Sequence, residues 1–396
     1  MAHDRGMNPN LWLLAACQGL FLTNNVTFIA INGLVGLSLA PVKWMATLPV
    51  MGYVVGGALS TGLVAKSQSR WGRRVSFQLG LLVALGSALL AAYAAASHNF
   101  WLLVCATVIA GYYSANGQLY RFAAAELSAP AFREKAVSWV LAGGLIGAVI
   151  GPNLASRTRN LVDVPFVGAY LALAVVALLG MALMHFIRFP AALAPKKGAS
   201  GGAPLAEIVR RPLFIVSALT AAMGYGVMNL LMAATPLAMQ VCGYGFVDAA
   251  FVLEWHVIGM FAPGFFTGNL IQRFGAPTIM GVGVLLNFVC IAIALSGVDL
   301  HQFLLALFLL GVGWNFLFTG STTLSMQAWT PEEKDRGQAA INFCVFATMA
   351  ITSFASGALV TTQGWTWLNI GSTVPVAIAG LALLWLAAQR HRAQAA

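Results

Sequence analysis

Charge is scarce in this sequence. Only 8% of its 396 residues are Asp, Glu, Lys or Arg, where soluble domains carry about a quarter, and that shortage excludes an ordinary soluble protein. Acidic residues are the rarer kind, 11 against 21 basic. The five cysteines (Cys17, Cys105, Cys242, Cys290 and Cys344) show no C-x-x-C and no paired spacing, so no disulfide framework is implied. There is no ATP-binding loop, no Ser/His/Asp arrangement and no soluble catalytic domain, which argues against an enzyme.

What is present is apolar: 60% of residues are hydrophobic and the mean hydropathy is +0.83. Apolar runs long enough to cross a hydrocarbon core of about 30 Å follow one another at 11–37, 44–65, 75–97, 99–124, 136–156, 165–188, 213–239, 248–271, 277–298, 301–328, 337–361 and 367–388. They predict an all-α membrane protein with twelve transmembrane helices. The first run is too long for the core of a signal peptide, so no cleavable leader is expected.

A net charge of +10 could suggest nucleic acid, but its distribution says otherwise. With alternating spans and both termini cytoplasmic, the outer loops hold only Lys43, Arg157 and Arg159, and Arg121 lies within the fourth run. Every other Lys and Arg falls on the cytoplasmic side, as the positive-inside rule requires. The expected partner is the lipid bilayer, not nucleic acid.

The longest polar break, FPAALAPKKGASGGAPLAEIVRRP (189–212), divides the runs six and six. It predicts an N-terminal half over 1–190, a cytoplasmic linker over 191–212 and a C-terminal half over 213–396. An internal repeat supports the division. SRWGRR (69–74) is matched by QRFGAP (272–277), and FREKA (132–136) by DRGQA (335–339). Arg70 and Arg273, and likewise Arg133 and Arg336, are each 203 positions apart. Parallel repeats of this kind are the mark of a transporter whose halves rock about a site near the bilayer midplane.

On these features the chain resembles the major facilitator superfamily over essentially its whole length. AKSQSRWGRR (65–74) is similar to that family's signature loop, with Arg70, Gly72, Arg73 and Arg74 at matching positions, and GNLIQRFG (268–275) is similar to its second copy. Ser69 and Gln272 stand where the family usually has Asp, and Ala65 replaces a Gly. The resemblance implies alternating access, with the loop as a cytoplasmic latch. Plain topology determinants are the other reading of these basic loops.

Polar residues inside spans are expensive and therefore candidates for function. His256 and Met260 are four apart on the eighth run, and Met228 and Met232 are four apart on the seventh, so each pair shares a helix face. From the outer surface, His256 lies about 12 Å deep and Met260 about 18 Å; Met232 lies about 10 Å and Met228 about 16 Å. If the two faces meet, three thioethers and an imidazole converge, a soft donor set that favours copper. Ordinary core packing is the competing reading, since Met is a common gap-filler.

M-x-x-x-M followed by H-x-x-x-M is similar to the CcoA-like copper importers of bacterial inner membranes. That resemblance implies copper import into the cytoplasm for cytochrome oxidase assembly. Met228, Met232, His256 and Met260 would be the metal site, the copper ion would be transported substrate, and a cytoplasmic chaperone or acceptor would receive it. No permanently bound cofactor is expected. Met51, Met239 and Cys242 are accessory metal candidates, and Glu254 is a candidate for proton coupling to His256. The alternative is a carrier of an organic solute such as riboflavin. Such a carrier would use the polar and aromatic groups of TNN (23–25), NGQLYR (116–121), Trp314 and Asn315.

Overall fold

The computed structural model describes residues 7–42, 45, 48–189 and 202–395. Lys43 and half of the expected linker, 191–201, lie outside them. The chain divides into two packed units, Met1–Ala194 and Pro195–Ala396. Among the described residues the fold is all-α and builds twelve crossings, six in each unit.

The first unit contains α1 (Pro9–Leu39), α2 (Leu48–Ala96), α3 (Phe100–Gly117), α4 (Tyr120–Glu126), α5 (Arg133–Ala142), α6 (Gly144–Thr158) and α7 (Val167–Phe186). Local chemistry sets the starts. Asn8 caps α1 by accepting from Leu11 N at 3.0 Å, ahead of Pro9, whose missing N–H costs nothing there. Asn99 caps α3 in the same way through Leu102 N. The second and third runs form two helices, labelled together as α2, that meet at a kink at Gly72, whose φ of 79° and ψ of 171° are not helical. The expected polar loop is therefore reduced to a single bend, at a φ that suits only a residue without Cβ. Alpha carbons crowd where α2 meets α3: a Cβ on Gly111 would strike the backbone of Gly56 and Gly57. Small residues at such crossings allow the close packing that holds helices together in lipid. The core is built from Phe28, Ile31, Tyr53, Ala91, Leu103, Ala106, Tyr170 and Leu173.

The second unit contains a helical turn, α8 (Leu205–Ile208), then α9 (Pro212–Val241), α10 (Phe246–Phe261), α11 (Gly264–Phe274), α12 (Ala276–Ser296), α13 (Leu300–Ser325), α14 (Lys334–Thr362) and α15 (Gly364–Ala395). The eighth run is thus two helices, α10 and α11, parted at Ala262–Pro263, because Pro263 lacks the N–H that would continue the ladder. Asp299 opens α13 with a capping box, its N–H donating to Gln302 Oε1 at 2.9 Å. The core runs through Val216, Leu231, Val252, Met280, Phe303, Leu310, Leu317 and Val376.

The 203-residue repeat persists in three dimensions. Gly275, at φ 83°, bends the chain between α11 and α12 at the position equivalent to Gly72. Asn8 donates to Leu127 O at 2.8 Å, and its counterpart Arg211 donates to Ala328 O at 2.8 Å. Each unit thereby ties the start of its first helix to the end of its fourth crossing.

In the second unit that tie is charged. The Arg211 guanidinium donates to both oxygens of Glu333, at 2.5 and 3.0 Å, and Ala203 N and Thr330 N donate to the same carboxylate at 2.8 and 3.0 Å. The Arg211 hydrogen bonds hold the Glu333 carboxyl well below the usual range, at about 2, helped by the two backbone N–H donors against the opposing effect of burial. A carboxylate depressed from 4.5 to about 2 stabilises the fold fully above about pH 4.5, and that contribution is lost as pH falls towards 2. The melting temperature of the purified chain should therefore fall more steeply with acid between pH 4.5 and 2 than that of Glu333→Gln. Parallel curves would contradict this.

Candidate functional site

The four residues expected to hold a metal lie on α9 and α10. His256 and Met260 are buried on α10, Met228 is buried on α9, and Met232 is half-buried. The shared face of His256 and Met260 is turned to α13. His256 Nδ1 lies 2.7 Å from Leu307 O; a carbonyl can only accept, so Nδ1 carries the proton and Nε2 the lone pair. Met260 O accepts from Asn315 Nδ2 at 2.6 Å, and Asn315 Oδ1 accepts from Thr267 Oγ1 at 2.7 Å. Gly311 permits this approach: a Cβ there would press on His256 O and come within 2.8 Å of Met260 N.

The α9 helix packs mainly on α14, α15 and α13, and only lightly on α10. Asn229, next to Met228, donates to Ser353 Oγ at 2.9 Å and Thr352 Oγ1 at 3.0 Å on α14. Each pair lies four residues apart within one helix, yet the two helices do not take each other as principal partners. Among the described residues no three His, Cys, Asp or Glu side chains gather as a metal site.

The remaining candidates are placed as follows. Met51 is half-buried on α2. Met239 is fully buried in the core of the second unit, and Cys242 is exposed just beyond α9. Glu254 is exposed on α10, whereas His256, two residues on, points inward to α13. In the signature segment, Arg70 is exposed with its guanidinium 5.5 Å from the centre of the Trp71 ring. Gly72 forms the bend, Arg74 reaches His185, and Arg73 makes a bidentate pair with Glu126. The Arg73 distances are 3.1 Å from Nε to Oε2 and 2.6 Å from Nη2 to Oε1.

Each unit also carries an aromatic cluster. In the second unit, Tyr225 of α9 meets Trp314 and Phe318 of α13 edge-on, at 5.4 and 5.2 Å between ring centres. Trp314 stacks on Phe318 at 4.9 Å, and Phe261 of α10 joins Trp314 at 5.7 Å. The indole Nε1 of Trp314 and Nε2 of His256 are buried with no hydrogen-bond partner among the described residues. In the first unit, Phe21 of α1 meets Tyr113 of α3 and Tyr120 of α4 at 5.4 and 5.9 Å, and Phe77 meets Tyr120 at 4.9 Å. Gln18 Oε1 and Asn25 Oδ1 are buried there without a partner among the described residues. Such groups are costly to leave unpaired, and aromatic faces beside free donors and acceptors suit a flat, hydrogen-bonding heteroaromatic solute.

Trp314 and Asn315 were legible as polar and aromatic guests in a span. Tyr225, Phe261, Phe318 and Gln18 were missed; the four-residue spacing of Trp314 and Phe318 was the one available signal.

The comparisons with known proteins agree on the family. The model of the Major Facilitator Superfamily matches residues 11–263 and 253–396. The chain is 37% identical over 362 residues to the riboflavin transporter RfnT of Brucella anthropi, covering 91% of each chain. It is 26% identical to YddS of Bacillus subtilis, an uncharacterised transporter of the same type, over 87% of this chain and 83% of that one. Among solved structures it superposes on the outward conformation of the transporter FucP with a TM-score of 0.75, at 15% identity, over 95% of this chain and 98% of that one. A bacterial homologue of the iron transporter ferroportin gives 0.73 at 15% identity, over 96% and 100%.

These findings correct the copper reading. The relative with 37% identity is a riboflavin transporter, which favours the organic-solute alternative over copper import. Copper as substrate, the cytoplasmic copper acceptor and the link to cytochrome oxidase assembly fall with it. The chain is a multi-pass membrane transporter, not an enzyme, and it belongs to the Major Facilitator Superfamily.

Proposed function

We propose that the chain carries riboflavin, or a closely similar flat heteroaromatic solute, across a bacterial inner membrane by alternating access. The observation that carries this reading is the 37% identity to a riboflavin transporter over 91% of both chains. The aromatic clusters support it. An isoalloxazine ring offers a broad π-face for Trp314, Phe318 and Tyr225, and an imide edge with one N–H between two carbonyls. Trp314 Nε1–H can donate to such a carbonyl, and the His256 Nε2 lone pair can accept from such an N–H.

Growth of a riboflavin auxotroph lacking its own importer, on low external riboflavin, tests this reading. The wild-type chain should restore growth. Met228→Leu and Met232→Leu, which conserve volume and remove only sulfur, should restore it within about twofold. No rescue by the wild-type chain at confirmed membrane expression would overturn the assignment, and loss of rescue in both Met→Leu variants would show that sulfur itself is required.

A further inference from the structure

The cytoplasmic end of the first unit carries a groove. It occupies about 360 Å³ between the second half of α2 and α7, lined by Arg74, Val75, Gln78, Leu79, Leu82 and Met181. These α2 residues fall on one helix face, and from Arg74 to Leu82 they span about 12 Å along the axis. Gln78 Nε2 donates to Met181 O at 2.8 Å and ties the two helices together across the groove. Beyond that amide the lining is aliphatic or thioether. The groove is thus apolar along its length and cationic at one end.

The cationic end has a specific chemistry. Arg74 Nη2 lies 3.1 Å from His185 Nδ1. A guanidinium can only donate, so His185 Nδ1 accepts and the ring proton sits on Nε2. The remaining outward groups of the pair are therefore N–H donors. Arg73 is paired with Glu126 and Arg211 with Glu333, whereas among the described residues no carboxylate lies within ion-pair distance of Arg74. Trp71 is 52% exposed and Phe186 67% exposed at the same end of the two helices, the position of aromatic side chains at a membrane–water boundary. By the positive-inside distribution this end faces the cytoplasmic leaflet, whose anionic lipids are drawn to basic pockets between helices.

We infer that the groove between α2 and α7 is a binding site for an anionic diacyl phospholipid of the cytoplasmic leaflet. Its phosphodiester is held by Arg74 and His185, and one acyl chain lies along Val75, Leu79, Leu82 and Met181. The lipid bridges the two helices on the side away from the α2–α3 contact and adds to the Gln78 tie. A zwitterionic lipid fills the same apolar groove but brings an amine against Arg74, so the site discriminates by headgroup charge.

Native mass spectrometry of the full-length purified chain, titrated with phosphatidylglycerol or with phosphatidylcholine of identical acyl chains, tests the site. The wild type should prefer phosphatidylglycerol by about fivefold, the effect of one basic residue at an anionic surface. Arg74→Gln should bind both lipids equally, and Arg74→Lys should keep the preference. Met181→Trp, or Leu82→Trp if the first fails to fold, should fill the groove and lower occupancy of both lipids. No headgroup preference in the wild type, or a preference unchanged in Arg74→Gln, would overturn the proposal.

Discussion

Trp314→Ala is expected to raise the KM for riboflavin between about 5- and 150-fold, taking roughly 1–3 kcal/mol for the stacking of a heteroaromatic ring on an aromatic side chain. Trp314 sits at the centre of its cluster, touching Tyr225, Phe261 and Phe318, and its Nε1 is without a partner among the described residues. Two contributions can be separated. Trp314→Phe keeps a six-membered ring against Phe318 but removes the indole N–H together with the fused pyrrole, so its loss should be at least the about 2- to 10-fold that one hydrogen bond is usually worth. Removing a buried Trp also costs stability, on the order of 3–5 kcal/mol in soluble cores, so uptake must be normalised to folded protein. A wild-type KM in both variants would remove Trp314 from the site.

The second large effect falls on stability. Arg73 is buried, with its side chain 5% exposed, and Glu126 is 21% exposed; the pair joins the bend of α2 to the end of α4. Glu126→Ala leaves the guanidinium without this carboxylate in a poorly hydrated position. Removing one member of such a pair typically costs about 3–5 kcal/mol, which for a unit of this size corresponds to a fall in melting temperature on the order of 10 °C. The double variant Arg73→Gln with Glu126→Gln should lose much less, because no buried charge is stranded. Equal losses in the single and double variants would mean that the pair acts through contacts other than its charge.

The architecture was largely legible from hydropathy and charge, because the bilayer permits few solutions. Runs of about 20 apolar residues can only be helices there, and the 203-residue spacing of Arg70 and Arg273 anticipated the matching bends at Gly72 and Gly275. The same reading expected a polar loop and could not see that the segment around Gly72 stays helical on both sides, since polar residues mark a break between spans without saying how short it is.

The site was less legible, and the reason is azimuthal. A spacing of four puts His256 and Met260 on one face of α10, but nothing in that spacing says which neighbour the face meets. It meets α13, where Gly311 leaves room for the backbone. Methionine added to the difficulty, because a residue that fills irregular gaps in cores is also the soft ligand of a copper site. The approach of Tyr225 to Trp314 joins residues 89 positions apart and is purely tertiary. Polar guests such as Asn315 and Asn25 left copper and an organic solute both open, and similarity to a riboflavin transporter favours the organic solute.

The most direct test of riboflavin transport is flux itself. The purified chain, reconstituted into liposomes with a phosphatidylglycerol-containing bilayer, should accumulate radiolabelled riboflavin saturably, with competition by unlabelled riboflavin and reduced affinity in Trp314→Ala. Riboflavin entry no faster than into protein-free liposomes, with a folded wild-type chain in the membrane, would contradict the account.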